Sequence, residues 1–369
     1  MKRKLLLGAA SSLFILSTGC LPARIVRYNF ANITDEKVFP SRPLLPAEAP
    51  QTFLQAATPI RPKSITIRGK ETDFETFLAQ HQTVAFLIIR NDTLFYEKYF
   101  AGYGETSKVA SFSMAKSFTS ALIGAAIADG YIKSVEQPVT DFIPEIAAQG
   151  FDKVTIRHLL QMTAGLKFEE SYANPFGDAG TFYYGRNLRK HTKNIRLKEP
   201  AGKEFDYTSG STQLLGLVLD KALKGKTVTA YLQEKIWSPA GMKYPATWSI
   251  DQQKDGLEKT FCCLNATAVD FARFGKLYAD SGRVAGRQVL PQDWVTTSSQ
   301  PDTSEGGVRY YKYQWWMLPG NSPHHFFAQG ILGQFVYVEP AKKLIIVRLG
   351  KSPGGVPWSR LMQQMAAGL

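Results

Sequence analysis

The chain has 369 residues, of which 44% are hydrophobic and 20% are charged, so it can bury a large core. This balance excludes a disordered or collagen-like chain, and the length is typical of about two domains. The formal net charge is +13, but the basic residues are scattered rather than mixed with aromatic residues in one run. Nucleic-acid binding is therefore not predicted, and a solvated basic surface is the better interpretation.

The first twenty residues have the pattern of an export signal. Basic residues at positions 2–4 precede an apolar stretch that is too short to span a bilayer and ends at Cys20. This ending resembles a bacterial lipoprotein signal, which implies lipidation of Cys20; ordinary cleavage near Cys20 is the alternative. Leu21 after the cysteine implies the outer membrane. We therefore expect an exported, periplasmic protein whose only membrane contact is its lipid anchor.

The mature chain divides by composition into a leader and two structural regions. Residues 21–62 are rich in proline and lack periodicity, which predicts an extended tether. Residues 63–115 and 260–369 contain the predicted strands, and residues 116–259 are mainly helical. Strands at both ends with helices between them indicate an α+β fold, an antiparallel sheet flanked by helices with a mainly helical second domain. The predicted helices are Phe112–Asp129, Ile156–Met162, Ser211–Leu223, Ala268–Ala279 and Gln292–Ser298.

Two hairpins are predicted. Thr83–Arg90 and Thr93–Phe100 are rich in apolar residues and are separated by Asn91-Asp92, a two-residue turn. Near the end of the chain, residues 333–338 and 343–349 form the second pair of strands.

Cysteine and histidine usage gives no sign of a metal or of a disulfide framework. Adjacent cysteines close a strained ring when they bond, so Cys262 and Cys263 are predicted to be buried free thiols. The five histidines form no HExxH motif and no Cys/His spacing of a zinc site. Neither a metal nor another cofactor is expected.

Ser113-Met114-Ala115-Lys116 is the most informative tetrapeptide, because it places a hydroxyl and an amine on one face at the start of a predicted helix. The free N–H groups and the dipole of a helix start can hold a developing oxyanion. Burial lowers the pKa of a lysine, which makes it usable as a base. The alternative is a helix cap beside a solvated lysine, but the apolar flanks favour a reactive pair.

A serine–lysine pair needs a second group that carries the proton to the leaving atom. Two tyrosines compete for this role. We favour Tyr207, which follows a tight turn and precedes a predicted helix, so its phenol would be held by rigid elements. Tyr172 lies in a more open polar loop and could reach the substrate from a lid.

Taken together and in this order, five segments resemble the serine β-lactamase and penicillin-binding-protein superfamily. Within it, the chain is most similar to class C-like hydrolases, the 6-aminohexanoate-dimer (nylon-oligomer) hydrolases and the family VIII carboxylesterases. In this family a Tyr-x-Ser or Tyr-x-Asn unit supplies the second base. The resemblance runs from about Thr83 to Leu349, and His158 within it is interpreted as structural. The segments are Ser113–Lys116, Ile156–Leu166, Tyr207–Ser209, Leu264–Gly275 and Tyr313–Trp316.

A third sequence element of this family, on a strand that lines the site, helps to determine which substrates are bound. Its penicillin-recognising members carry Lys-Thr-Gly or His-Thr-Gly there, and the basic side chain binds the substrate carboxylate. Here Ala328 stands in the basic position and Gln329 replaces the threonine. Losing that cation removes a charge-assisted hydrogen bond of about 1.5–3 kcal/mol. His324 and His325, just upstream, could replace the charge.

The same resemblance implies the remaining site residues. Gly330 would allow the close backbone approach of this strand, and the following N–H, of Ile331, would pair with the N–H of Ser113 as the oxyanion hole. Tyr172, Ser209, Gln329 and Gly330 are the candidate substrate-binding residues.

Three functional hypotheses follow. The leading one is a serine hydrolase that cleaves a small amide or ester through an acyl-enzyme on Ser113. The second is a DD-peptidase or β-lactamase, which export favours and Ala328 disfavours. The third is a non-catalytic envelope lipoprotein that uses the fold for binding. The expected partner is a small-molecule substrate, and the sequence does not predict the oligomeric state.

Overall fold

A computed structural model describes residues 21–28, 30–67, 69–318 and 324–369. The predicted export signal and Cys20 lie outside the described residues. The helices are α1 (Leu21–Tyr28), α2 (Phe74–Gln80), α3 (Ala115–Ala128), α4 (Ile156–Leu160), α5 (Asp178–Tyr184), α6 (Leu188–Lys193), α7 (Ser209–Ala222), α8 (Val228–Leu232), α9 (Ala268–Ala279), α10 (Gln292–Ser298) and α11 (Trp358–Gly368). Single-turn helical segments lie at Asp35–Lys37, Phe112–Met114, Val139–Asp141, Pro144–Gln149, Phe151–Lys153, Gln233–Trp237, Ile331–Gly333 and Pro340–Lys342.

The strands form one large sheet and several small ones. The strands are β1 (Ser41–Leu44), β2 (Leu54–Gln55), β3 (Ser64–Ile67), β4 (Lys70–Asp73), β5 (Thr83–Arg90), β6 (Thr93–Tyr99), β7 (Val109–Ala110), β8 (Leu166–Lys167), β9 (Arg196–Leu197), β10 (Ala246–Ser249), β11 (Leu264–Ala266), β12 (Arg283–Val284), β13 (Arg287–Gln288), β14 (Tyr311–Lys312), β15 (Trp315–Trp316), β16 (Phe326–Gly330), β17 (Gln334–Glu339) and β18 (Leu344–Gly350). The large sheet has eight strands in the order β14-β15-β16-β17-β18-β5-β6-β2, and a second sheet has the order β1-β10-β11-β7.

Both predicted hairpins are confirmed in the large sheet. β5 and β6 pair antiparallel, and Asn91 and Asp92 between them have φ of 48° and 62°, the left-handed conformations of a tight hairpin turn. β17 and β18 form the second hairpin, and β18 joins the two by pairing with β5. All pairings in this sheet are antiparallel except β2 with β6. The α+β fold predicted from the sequence is therefore confirmed.

Helices cover both faces of the large sheet, which explains why β5 is apolar along its length. Successive side chains of a strand point to opposite faces. Phe86 and Ile88 join the core under α2 and α11, whereas Leu87 and Ile89 face the larger core that contains α3 and α9. The sheet is thus a rigid platform for the segments at its edge.

The helical region is built around α3 and α7, which pack against each other and are buried on nearly every side. A helix that is apolar all round belongs in the interior of a protein. α3 starts directly after Met114, and α7 starts at Ser209, so the two helices bring distant parts of the chain to one place. Among the described residues, no helix is both long and apolar enough to cross a bilayer.

The segment 21–62 differs from the extended tether that its prolines predict. β1 pairs with β10, and β2 extends the edge of the large sheet. Ile33 and Leu44 are fully buried in the main core. Prolines rule out long regular elements, but they leave room for short strands and for apolar side chains that anchor the segment to the body of the protein.

Candidate active site

Ser113 lies in a sharp turn between β7 and α3. The preceding residue, Phe112, has φ of 46°, a left-handed conformation that costs a non-glycine residue about 1–3 kcal/mol. The turn is anchored to β11, because the backbone N–H of Ser111 donates to the carbonyl of Leu264 at 2.9 Å. The result is a half-buried serine at the start of a buried helix.

Lys116 lies one turn further along and is only 1% exposed. Its Nζ donates to Ser209 Oγ and to the carbonyl oxygen of Phe261, both at 3.0 Å. Burial lowers its pKa to about 8, against a smaller opposing effect of the Glu170 carboxylate. A neutral amine has two N–H bonds, which match these two acceptors and leave its lone pair free to take a proton.

Tyr207 completes the group that the sequence predicts. Its ring centroid is 5.1 Å from Lys116 Nζ, and its hydroxyl lies close enough to the Ser113 side chain for Ser113 to lower the pKa of the phenol. Burial raises that pKa by more, so Tyr207 is protonated at neutral pH. The ring of Trp316 lies 5.2 Å away and that of Tyr311 lies 5.8 Å away, which fixes its orientation. The structure therefore brings together the serine, the lysine and the favoured tyrosine.

The network also contains a carboxylate, that of Glu170, which was not predicted from the sequence. Glu170 accepts hydrogen bonds from Ser209 N at 2.6 Å, from Ser209 Oγ at 2.7 Å and from the Tyr172 hydroxyl at 2.6 Å. Tyr172 is 54% exposed, and its hydroxyl lies near enough to Ser113 for that side chain to affect its pKa. A continuous chain thus runs from Lys116 through Ser209 and Glu170 to Tyr172. The only signal in the sequence is a glutamate two residues before the candidate lid tyrosine.

We expect Glu170→Gln to shift the pH dependence of turnover. The substitution removes the negative charge that raises the pKa of Lys116, so the acidic limb of kcat/KM should move to lower pH. The maximal rate should fall by about tenfold, because the amide cannot accept all three hydrogen bonds. Glu169→Gln is the matched control, since Glu169 is exposed and, among the described residues, its carboxylate accepts hydrogen bonds from Asn174 alone. An unshifted limb in the Glu170 variant would contradict this role.

The end of β16 packs directly against the serine turn. A Cβ on Gly330 would lie 2.3 Å from the carbonyl oxygen of Ser111 and 3.2 Å from Ser113 N. Only glycine allows this approach, which sets the next residue, Ile331, beside Ser113. Both residues line the same cleft. The resemblance to the family implies that their N–H groups are the oxyanion donors.

Gly330→Ala should therefore disrupt the oxyanion site. The added methyl group forces β16 away from Ser113, and we expect kcat/KM to fall by about 10²–10³-fold, the loss of one oxyanion donor. The matched control is Gly104→Ala, because nothing lies within 4 Å of its Cβ position. Initial rates on an activated ester and thermal unfolding of both variants would check this; equal rates in the two variants would contradict it.

The remaining candidates separate into those at the cleft and those away from it. Tyr172 and Ser209 line the cleft, whereas Gln329 is exposed and Gly330 contributes backbone packing only. Ala328 is buried in the core.

The two upstream histidines do not supply the missing cation. His325 is 5% exposed and stacks on the Tyr337 ring at 5.4 Å. His324 is exposed beside Phe326, and neither histidine is part of the cleft lining. His158, interpreted as structural, forms a capping box with Thr155 at the start of α4.

The prediction that Cys262 and Cys263 are free thiols is wrong, because the structure joins them by a disulfide. The backbone here is a constrained turn. Cys263 has φ of 70°, and its carbonyl accepts from Ser249 N at 3.0 Å, while the Cys262 carbonyl accepts from Trp248 Nε1 at 3.1 Å. A left-handed residue turns its side chain back beside that of its neighbour, which general arguments about adjacent cysteines do not capture. Cys262 lines the cleft.

The cleft in front of Ser113 has a volume of about 520 Å³, within the usual range of small-molecule sites. Among the described residues, no group of three or more His, Cys, Asp or Glu side chains is placed to hold a metal ion.

Known proteins show the same organisation. The family model for Beta-lactamase matches residues 71–364. The 6-aminohexanoate-dimer hydrolase of Paenarthrobacter ureafaciens is 28% identical over 319 residues, which cover 80% of each protein. The solved structure named "Putative 6-aminohexanoate-dimer hydrolase from Bacillus anthracis" has a TM-score of 0.81 at 24% identity and covers 93% of both chains.

A further solved structure, EstCE1, described as a hydrolase with promiscuous acyltransferase activity, has a TM-score of 0.62 at 16% identity and covers 79% of this chain and 95% of its own. Similarity at that level of identity shows the fold alone. The family match, by contrast, spans most of the chain and includes the serine turn, both partner side chains and the β16 edge. This chain is a hydrolase that belongs to the beta-lactamase family of serine hydrolases.

Proposed function

We propose that this enzyme cleaves a small amide or ester through a covalent acyl-enzyme on Ser113. The observation that carries the proposal is the grouping at the start of α3, where Tyr207 lies beside Ser113 and its ring centroid is 5.1 Å from Nζ of Lys116, whose pKa burial lowers to about 8. A hydroxyl with an unprotonated amine and a phenol beside it is an activated nucleophile.

In the acylation step, Ser113 Oγ attacks the carbonyl carbon as its proton passes to Lys116, directly or through Tyr207. The N–H groups of Ser113 and Ile331 hold the oxyanion. Tyr207 then protonates the leaving amine or alkoxide, which departs as the acyl-enzyme forms. Water repeats the sequence on the acyl-enzyme, and the acid product leaves with Ser113 regenerated.

An amide or ester is favoured over a cell-wall peptide or β-lactam. The curated relative named a 6-aminohexanoate-dimer hydrolase points to amides, and the resemblance to carboxylesterases points to esters. The alternative, a DD-peptidase or β-lactamase, needs a cation for the substrate carboxylate. Ala328 occupies that position and is buried, and both upstream histidines lie away from the cleft.

Trapping of the acyl-enzyme tests this function. Rapid mixing with a p-nitrophenyl ester should give a burst of p-nitrophenol near one equivalent, if deacylation is the slower step. Acid quenching followed by mass spectrometry should place the acyl group on the peptide that contains Ser113. An acyl group found on any other residue, or none on an enzyme that turns over the ester, would reject the acyl-enzyme.

We also propose that the enzyme acts outside the cytoplasm, held at the membrane by a lipid on Cys20. The support is the sequence of residues 1–20. Metabolic labelling with a clickable fatty acid should modify the wild-type chain and leave Cys20→Ala unmodified. Labelling of both chains, or of neither, would contradict the anchor.

A further inference from the structure

The cleft in front of Ser113 is uncharged on all sides. None of the described residues that line it has a charged side chain. Its walls come from segments that are distant in the chain, among them Phe30 and Ala31 near the N-terminus, the loop 171–175, the α5 helix with Tyr183 and Tyr184, the Cys262 end of the disulfide, and the turn at Leu332. Such a lining can replace water around an apolar group but gives an ion no partner.

Charged groups that contact lining residues already have hydrogen-bond partners inside the protein, as Asp35 has in the Tyr183 hydroxyl and Lys259 in the Tyr183 carbonyl. Lys116 is 1% exposed and donates to Ser209 and to the Phe261 carbonyl. Glu170 accepts three hydrogen bonds from Ser209 and Tyr172. A carboxylate or ammonium group on the substrate would therefore lose its hydration without gaining a counter-ion.

Exposed aromatic side chains also surround the opening of the cleft. Phe30 is 77% exposed and Tyr172 is 54% exposed, and both belong to the lining. Phe176, next to the lining residue Pro175, is 61% exposed. Large exposed aromatic side chains around one opening are uncommon on a protein surface and are typical of binding sites.

We propose that this site selects amides or esters that are uncharged and apolar on both sides of the scissile bond, and that the N-terminal residues Phe30 and Ala31 set this selectivity. The inference rests on the proposed function and narrows its substrate class. It also separates this enzyme from the activity in the name of its curated relative, because a 6-aminohexanoate dimer carries a free ammonium and a free carboxylate group.

Three p-nitrophenyl esters of equal chain length test the inference: the hexanoate, which is neutral, the monoester of adipate, which ends in a carboxylate, and the 6-aminohexanoate ester, which ends in an ammonium group. Release of p-nitrophenol at pH 8 gives kcat/KM for each. We expect the hexanoate to exceed both charged esters by at least about 30-fold. Equal values, or a preference for either charged ester, would overturn the inference.

Phe30→Lys tests the wall itself. Because Phe30 is largely exposed, the substitution should preserve folding, and its ammonium group offers the adipate ester a partner. The ratio of kcat/KM for the adipate ester to that for the hexanoate ester should rise about tenfold, and kcat/KM for the 6-aminohexanoate ester should not rise. If the substitution only loosened the wall, kcat/KM would rise for both charged esters. Ala148→Lys is the matched control, since Ala148 is exposed and lies outside the cleft lining. An unchanged ratio in Phe30→Lys would overturn the assignment of this wall.

The two proposals fail differently. If all three esters acylate Ser113 with similar kcat/KM, the serine hydrolase stands and the selectivity is wrong. If none of them acylates Ser113, the proposed function falls and the selectivity falls with it.

Discussion

Ser113→Ala should reduce turnover of any amide or ester substrate by at least about 10⁴-fold, because the proposed acyl-enzyme forms on its hydroxyl. The residual rate should show no burst. Binding of substrate should persist, since the cleft walls and both backbone N–H groups are unchanged. Steady-state kinetics together with equilibrium binding of a slow substrate would measure the two effects separately.

Ser134→Ala is the control for the nucleophile, because Ser134 is exposed and its hydroxyl only accepts from the Glu136 N–H. Thermal unfolding of the Ser113 variant should match that of the native protein within a few degrees. A Ser113→Ala enzyme that kept more than a few per cent of the native kcat would exclude Ser113 as the nucleophile.

Lys116→Met should lower kcat/KM by about 10²–10⁴-fold, the usual contribution of a positioned base. The base acts only when it is unprotonated, so the native enzyme should lose activity as the pH falls through about 8, the pKa to which burial lowers Lys116. In Lys116→Met this acidic limb should disappear from the pH profile of kcat/KM. Titration of kcat/KM between pH 5.5 and 9.5 would show it.

A second buried lysine provides a demanding control. Lys259 is fully buried, its Nζ donates to the carbonyls of Phe182 and Tyr183 at 3.0 and 2.8 Å, and burial lowers its pKa to about 7. Lys259→Met should destabilise the end of α5 and lower the Tm, yet keep the acidic limb near pH 8. If the limb vanished in Lys259→Met and survived in Lys116→Met, the roles assigned to the two lysines would be reversed.

The sequence predicts those parts of the fold that depend on neighbouring residues. The apolar run of β5, the Asn91-Asp92 turn and the one-sided apolar pattern of α9 each lie within about twenty residues. These elements can therefore be predicted from the local sequence pattern alone. The Ser113–Lys116 pair is local in the same sense, because the two residues are three positions apart where the turn Phe112–Met114 leads into α3.

The parts that the sequence did not predict are contacts between distant residues. β1 pairs with β10 some 200 residues later, and the prolines around β1 obscure its strand character. Glu170 and Ser209 are hydrogen-bonded although they lie 39 residues apart in the chain, and no pattern in either segment predicts this contact. The disulfide at Cys262 and Cys263 depends on a left-handed backbone that the Trp248 and Asn265 contacts support. Long-range packing decided each of these.

The packing of the N-terminal segment has a consequence for how substrate preference can diverge among related hydrolases. Phe30 and Ala31 precede the stretch shared with the family, residues 71–364, yet they border the cleft. Changes in this leader can alter which molecules are accepted while the nucleophile, the base and the oxyanion donors are inherited intact. A chain trimmed to the shared stretch would lose both the proposed wall of the cleft and the part of the main core that Ile33 and Leu44 fill, so its substrate profile would be a poor guide to that of the longer chain.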